Sequence, residues 1–154
     1  MLKINDQIPN FKILTDQDDF EVSNYLGKKI VVFFFPKADT SGCTAESIAF
    51  SNLQKDFDKL SCVVIGISKD KPQKQSKFRE KYNLSCILGA DFENNVCEQF
   101  GVWVEKSMYG RKYMGIQRAT FLSNEKGIIT NVWEKVKVPG HADEVLAAVE
   151  KINM

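Results

Sequence analysis

The stretch Lys29-Ile30-Val31-Val32-Phe33-Phe34-Phe35-Pro36-Lys37-Ala38-Asp39-Thr40-Ser41-Gly42-Cys43-Thr44-Ala45-Glu46 decides the fold. From Lys29 to Phe35 it is almost wholly apolar and rich in β-formers. That pattern predicts a central strand covered on both faces. Pro36 ends the run and a polar loop follows. From Thr40 the pattern changes: Ile48, Phe50, Leu53, Phe57 and Leu60 recur at helical spacing and predict a helix from about Gly42 to Lys59. Cys43 therefore falls in or near the first turn of a helix that leaves a buried strand. Unpaired backbone N–H groups and the helix dipole favour a thiolate there. A thiolate is a nucleophile, so the position points to redox or nucleophilic chemistry.

Outward from this stretch, strand and helix patterns alternate. Phe11 to Leu14 predicts an early strand, and Glu21 to Ser23 a second short one before a turn at Asn24–Gly27. Cys62 to Ser68 predicts another buried strand, parallel to the first. Pro72 opens a helix reaching Tyr82, since proline is tolerated in a first turn. Ser85 to Leu88 predicts a strand, and Phe92 to Phe100 a helix closed by Gly101. Thr120-Phe121-Leu122 and Ile128 to Trp133 flank Asn124-Glu125-Lys126-Gly127, a hairpin signal. Val145, Leu146, Val149 and Ile152 give a last helix one apolar face. The order predicts an α/β thioredoxin-like fold, a mixed central sheet with helices on both faces, as a single domain over residues 1–154.

Composition narrows the function classes. The chain has 154 residues, enough for a core without covalent staples. Its 21 basic and 20 acidic side chains leave a net charge of +1. No basic run suggests a nucleic-acid or membrane-surface patch. The longest apolar stretch, Ile30 to Phe35, is too short to cross a bilayer. Met1 to Asp6 carries no signal-like apolar region, so a cytoplasmic protein is expected. The four cysteines, at 43, 62, 86 and 97, contain no Cys-x-x-Cys pair. With His141 as the sole histidine, neither a disulfide framework nor a zinc site is expected. His141, just before the last helix, is expected at the surface or as a cap. Trp103 and Trp133 are expected as packing residues, and Ser107–Gly115 as a loop or ribbon.

The motif Pro36-x-x-x-Thr40-x-x-Cys43 resembles the active-site signature of the peroxiredoxins. The longer string Phe35 to Thr44 is similar to the bacterioferritin comigratory protein branch, also called the peroxiredoxin Q branch. So are Gly66 to Pro72, Val96 to Trp103, Gly115 to Phe121 and Gly140 to Leu146. The likeness covers nearly the whole chain, in order.

The resemblance implies a thiol-dependent peroxidase in antioxidant defence, acting on hydrogen peroxide and organic hydroperoxides without cofactor or metal. Cys43 would be the nucleophile that becomes a sulfenic acid. The Thr40 hydroxyl would bond the thiolate or the attacked oxygen, and Pro36, lacking an N–H, would shield the sulfur. Arg118 would bring a fixed positive charge. Glu46, one turn into the helix, would orient Arg118. Many members of the branch carry a second cysteine five positions after the nucleophile, where this chain has Ile48. Resolution then falls to an external thiol, with thioredoxin, glutaredoxin or glutathione as reductant, or to an internal cysteine. Cys86 is the leading internal candidate, ahead of Cys62 and Cys97. By analogy with the branch, a monomer is expected.

Two other function classes fit the same thiol. A disulfide oxidoreductase would need paired thiols, which the spacing lacks. A redox sensor or holdase would be oxidised stoichiometrically, with little turnover.

Overall fold

Strand β3 (Lys29–Phe34) lies inside a seven-stranded mixed sheet. A computed structural model of the chain describes residues 1–152. Every residue of β3 is buried, as the unbroken apolar run requires of a strand covered on both faces. Its parallel partner is β4 (Cys62–Ser68), with Phe33 opposite Gly66. Its antiparallel partner is β8 (Ala119–Ser123), with Phe34 opposite Ala119. The full order is β2 (Phe20–Glu21), β1 (Lys12–Thr15), β5 (Ile87–Ala90), β4, β3, β8 and β9 (Ile129–Trp133).

Successive side chains of β3 point to opposite faces of the sheet, and two apolar clusters result. Val31, Phe33 and Phe35 pack with Phe50, Phe57, Phe78, Val145 and Val149. These come from α1 (Ser41–Asn52), α2 (Gln54–Lys59), α3 (Pro72–Tyr82) and α5 (His141–Ile152). Val32 and Phe34 pack on the other face with Phe11, Phe100 and Phe121. That face is covered by α4 (Val96–Phe100) and the N-terminal segment. Helices lie on both faces, as expected, but unequally.

Several boundaries differ from the sequence expectation. The predicted Gly42–Lys59 helix is two helices, broken at Leu53 (φ −99°, ψ 9°). Just before the break, the Ser51 carbonyl accepts from the Ser85 hydroxyl at 3.0 Å. The Ser51 hydroxyl accepts from the N–H groups of Ser85 (3.0 Å) and Cys86 (3.3 Å). Those two amides are thereby kept out of the sheet, and β5 starts at Ile87 rather than Ser85. Helix α4 starts at Val96, not Phe92, because the buried Asp91 carboxylate accepts from the N–H groups of Val96 (3.1 Å) and Cys97 (2.8 Å). Gly101 ends it in the left-handed region (φ 75°), the expected stop. Near the N-terminus, Phe20–Glu21 is the short strand, and a 3-10 turn over Val22–Tyr25 replaces the predicted Glu21–Ser23 strand.

The Ser107–Gly115 segment belongs to a two-stranded antiparallel ribbon, β6 (Trp103–Met108) and β7 (Arg111–Ile116). Tyr109 (φ 52°) and Gly110 (φ 78°) make its turn with two positive φ values, the geometry that suits a two-residue hairpin. His141 is the other correction. It opens α5 and is buried, edge-on to the rings of Phe50 and Trp133, with a ring nitrogen 2.8 Å from the Thr120 hydroxyl. Burial holds its imidazole below the ordinary range.

Candidate active site

The register of β3 and β8 builds the site. With Phe34 opposite Ala119, the residue before Ala119 stands beside the exit of β3. That residue is Arg118, and the exit of β3 is the Phe35–Pro36 turn that leads into α1. A strand pairing and a helix start therefore bring together residues 75 positions apart.

Cys43 lies in the first turn of α1 and is fully buried. The Arg118 Nη2 group donates to its sulfur at 3.2 Å. From the same guanidinium, Nη1 donates to Glu46 Oε1 at 2.6 Å. Cys43 and Glu46 are three residues apart on a helix, so they share a face. The planar fork of Arg118 spans both. Its own charge is held more firmly than usual: burial works against the charged form, but the nearby Glu46 and Cys43 outweigh it. Burial dominates at Glu46 and pushes its carboxyl up to about 7, against the pull of Arg118. Its second oxygen, Oε2, is buried without a hydrogen-bond partner among the described residues.

Thr40 is the N-cap of α1, and its carbonyl accepts from the Thr44 N–H at 2.8 Å. Its hydroxyl donates back to the Lys37 carbonyl at 2.8 Å rather than to the Cys43 sulfur. Pro36 and Thr40 are both exposed, whereas the Cys43 thiol is buried. The loop between them is gripped from outside. Asp70 Oδ2 accepts from the Ala38 N–H (2.7 Å), and Asp39 accepts from the Tyr82 hydroxyl (2.6 Å) and from Lys81 (3.0 Å).

Lys106 and the space at Gly42 escaped the sequence reading, which gave Gly42 only a part in a peroxide-holding set of backbone N–H groups. A side-chain carbon at Gly42 would sit 3.3 Å from Arg118 Nη2, so glycine leaves the space the guanidinium uses. Lys106 on β6 is half-buried and donates to the Ile116 carbonyl, two residues before Arg118. Burial, and then the Arg118 charge, holds Lys106 below its ordinary range. Only the fold makes either residue a neighbour of Arg118, and no local pattern signals it.

The remaining thiols sit elsewhere. All four cysteines are free and buried. Burial pushes Cys62 up to about 12 and also raises Cys86 and Cys97. The Cys86 sulfur accepts from the Ser51 hydroxyl at 3.5 Å. Ser51 is eight residues beyond Cys43 on α1, roughly 12 Å along the axis at 1.5 Å per residue. Among the described residues, Cys43 alone has a guanidinium on its sulfur. No cluster of three His, Cys, Asp or Glu side chains suited to a metal occurs among them. No helix among them is long and apolar enough to cross a membrane.

A buried cysteine at a helix start, an arginine fork on its sulfur and a seven-stranded mixed sheet also characterise known proteins. The family model described as "AhpC/TSA family" matches residues 4–132. The chain belongs to the AhpC/TSA family. It is 42% identical to the peroxiredoxin Bcp of Escherichia coli K12 over 147 residues, 94% of each chain. With the peroxiredoxin Bcp of Bacillus subtilis it shares 38% identity over 153 residues, 99% of this chain and 98% of that one. Among solved structures it superposes on the bacterioferritin comigratory protein of Xanthomonas campestris with a TM-score of 0.91, 32% identity and coverage of 99% and 100%. A cysteine-to-serine variant of Xylella fastidiosa PrxQ gives a TM-score of 0.94 at 30% identity, covering 100% of this chain and 99% of that one. The chain is thus a peroxiredoxin of the Bcp type, a thiol-dependent peroxidase on a thioredoxin-like fold.

Proposed function

We infer that Cys43 is the peroxide-attacking nucleophile of this peroxiredoxin and that an external thiol completes its cycle. The observation that carries this reading is the Arg118 hydrogen bond to the Cys43 sulfur, 3.2 Å long, at a helix start. A guanidinium there favours negative charge on sulfur, and the unpaired first-turn amides of α1 favour it further.

The thiolate attacks one oxygen of the hydroperoxide. An S–O bond forms, the O–O bond breaks, and the departing oxygen leaves as water or an alcohol after taking a proton. Cys43 is left as a sulfenic acid. Arg118 and the α1 amides stabilise the charge that develops on the departing oxygen. The Thr40 hydroxyl directs its O–H to the Lys37 carbonyl but keeps lone pairs, so it accepts the O–H of the incoming hydroperoxide. Pro36 adds no competing N–H at the rim. Glu46 acts through Arg118 as a positioning residue. Hydrogen peroxide and small organic hydroperoxides are the substrates. The alkyl peroxide reduction activity named for the Xanthomonas campestris protein supports the organic class.

Ile48 occupies the place of the usual partner cysteine, and the Cys86 sulfur lies against Ser51, roughly 12 Å along α1 from Cys43, whereas a disulfide needs Cα atoms within about 7 Å. The sulfenic acid is therefore reduced from outside by thioredoxin, glutaredoxin or glutathione. Four buried free thiols suit a reducing compartment such as the cytoplasm.

Intact mass after one equivalent of hydrogen peroxide, with a sulfenic-acid trap, tests the whole reading. A trapped adduct on Cys43 is expected, with no adduct in Cys43→Ser. Full peroxide consumption by Cys43→Ser would overturn the nucleophile. Loss of two hydrogens without an adduct would overturn the external thiol.

A further inference from the structure

Beside the active-site loop lies an open groove of about 930 Å³. Its wall is basic. Lys74, Lys77 and Lys81 recur at helical spacing along one side of α3, with Lys71 at its N-cap and Lys69 also in the lining. Asp39 and Asp70 supply the acidic side chains of the lining. Lys81 is paired with Asp39 at 3.0 Å and Lys74 with Asp70 at 3.9 Å. Lys71 and Lys77 are exposed and have no carboxylate partner among the described residues.

The groove is joined to the chemistry by its two aspartates. Asp39 precedes Thr40, the N-cap of the helix that carries Cys43. It is held in the left-handed region (φ 63°), uncommon for a residue with a side chain, and its carboxylate is latched to Lys81 and Tyr82. Asp70 holds the Ala38 N–H of the same loop. Phe78, at the floor, packs against Phe35 with ring centroids 6.0 Å apart, one residue before Pro36. A carboxylate entering the groove competes with Asp39 for Lys81 and with Asp70 for Lys74. Displacing Asp39 from Lys81 would remove one of the two side-chain contacts that latch the loop before Cys43. Cys43 is fully buried, and a protein thiol must gain access to its sulfenic acid.

We propose that this groove is the docking surface for the acidic face of a protein dithiol that reduces oxidised Cys43. The proposal rests on the external-thiol cycle above. One thiolate of the partner attacks the Cys43 sulfenic sulfur, forming a mixed disulfide and releasing hydroxide, which becomes water. The partner's second thiolate then attacks its own sulfur in that mixed disulfide. The partner leaves as a disulfide and Cys43 returns as a thiolate. Complementary charge acts mainly on the encounter rate and is screened by salt.

The test uses two synthetic Cys-x-x-Cys peptides, one flanked by glutamates and one by lysines, reacting with protein whose Cys43 sulfenic acid has been formed by one equivalent of peroxide. At low salt the acidic peptide should react about tenfold faster or more. The difference should collapse near 1 M salt, where screening acts within roughly 3 Å. In Lys71→Glu/Lys77→Glu the preference should vanish or invert, while reduction by uncharged dithiothreitol keeps its rate. Lys55→Glu/Lys126→Glu changes the net charge equally outside the groove and should keep the preference. Equal rates for the two peptides on a trapped sulfenic acid, or a preference that survives Lys71→Glu/Lys77→Glu, would overturn the docking surface alone. Loss of two hydrogens before any peptide is added would instead remove the external-thiol cycle beneath it.

Discussion

Arg118 Nη2 donates to Cys43 Sγ across 3.2 Å while its other terminal nitrogen is held by Glu46 at 2.6 Å. One rigid fork thus joins the Cys43 sulfur to a carboxyl one helical turn away. Lysine is a single point charge and cannot span both. Arg118→Met should lower the second-order rate of peroxide reduction by about 10²–10³, the usual effect of removing a donor that stabilises developing charge. Arg118→Lys should recover only part of the loss. Rapid-mixing kinetics on the reduced protein reads both, and a fully active lysine variant would refute the fork.

Gly42 separates stability from activity. A methyl group there would lie 3.3 Å from Arg118 Nη2 and press the guanidinium away from the sulfur. Alanine is also the better helix former, by up to about 1 kcal/mol within a helix. Gly42→Ala should therefore melt no earlier than the parent chain yet reduce peroxide several-fold more slowly. Thermal unfolding and rapid-mixing kinetics on one sample make the comparison. Unchanged kinetics would mean that Arg118 has another route to Cys43.

The strand–loop–helix around Cys43 was legible because its signals are local: an apolar run, a proline, a change of period. Pro36, Thr40, Cys43, Glu46 and Arg118 came together through a family resemblance, since nothing local ties Arg118 to Cys43. The link is a strand register, Phe34 opposite Ala119, which periodicity does not encode. Three of the misplaced boundaries, those of α1, β5 and α4, have one cause in common. Asp91, Ser51 and Ser85 bond backbone groups far from themselves in sequence or across a loop, and such bonds override propensity. His141 was misplaced for a related reason: its partner Thr120 is 21 positions away on another element.

Glu46 makes stability depend on pH near neutrality. Burial raises its carboxyl to about 7 in the folded chain, from an ordinary value of 4.5. The folded state holds this proton more tightly than the unfolded state does. The contribution is fully present below the ordinary value and is lost as pH rises through about 7. A shift of this size corresponds to roughly 3 kcal/mol at most. The stability difference between Cys43→Ser and Cys43→Ser/Glu46→Gln should change across pH 4.5 to 7 in favour of the glutamine variant. The serine background removes the sulfur that shares the Arg118 guanidinium with Glu46. Denaturant unfolding at a series of pH values measures it, and a flat difference would assign the Glu46 proton elsewhere.

Ile48 decides whether the oxidised chain closes on itself. It lies five residues beyond Cys43 on α1, partly buried against the helix-side cluster. Five residues of helix rise roughly 7.5 Å, and disulfide Cα atoms lie within about 7 Å. A thiol at this place pairs with Cys43 only if the first turns of α1 unwind. Those turns are held at the start by Thr40 and the Asp39 latch, and at the far end by Ser51 on Ser85 and Cys86. Ile48→Cys should therefore lose two hydrogens after one equivalent of peroxide and give up part of its helical circular dichroism. The parent chain should gain one oxygen and keep its helicity. Ile48→Cys/Cys86→Ser should behave as Ile48→Cys does. If the parent chain also lost two hydrogens, and Cys86→Ser abolished that loss, α1 would have to open over roughly 12 Å, as far as Ser51. The Ser51 hydroxyl would then be the lock on internal resolution, and Ser51→Ala would speed disulfide formation.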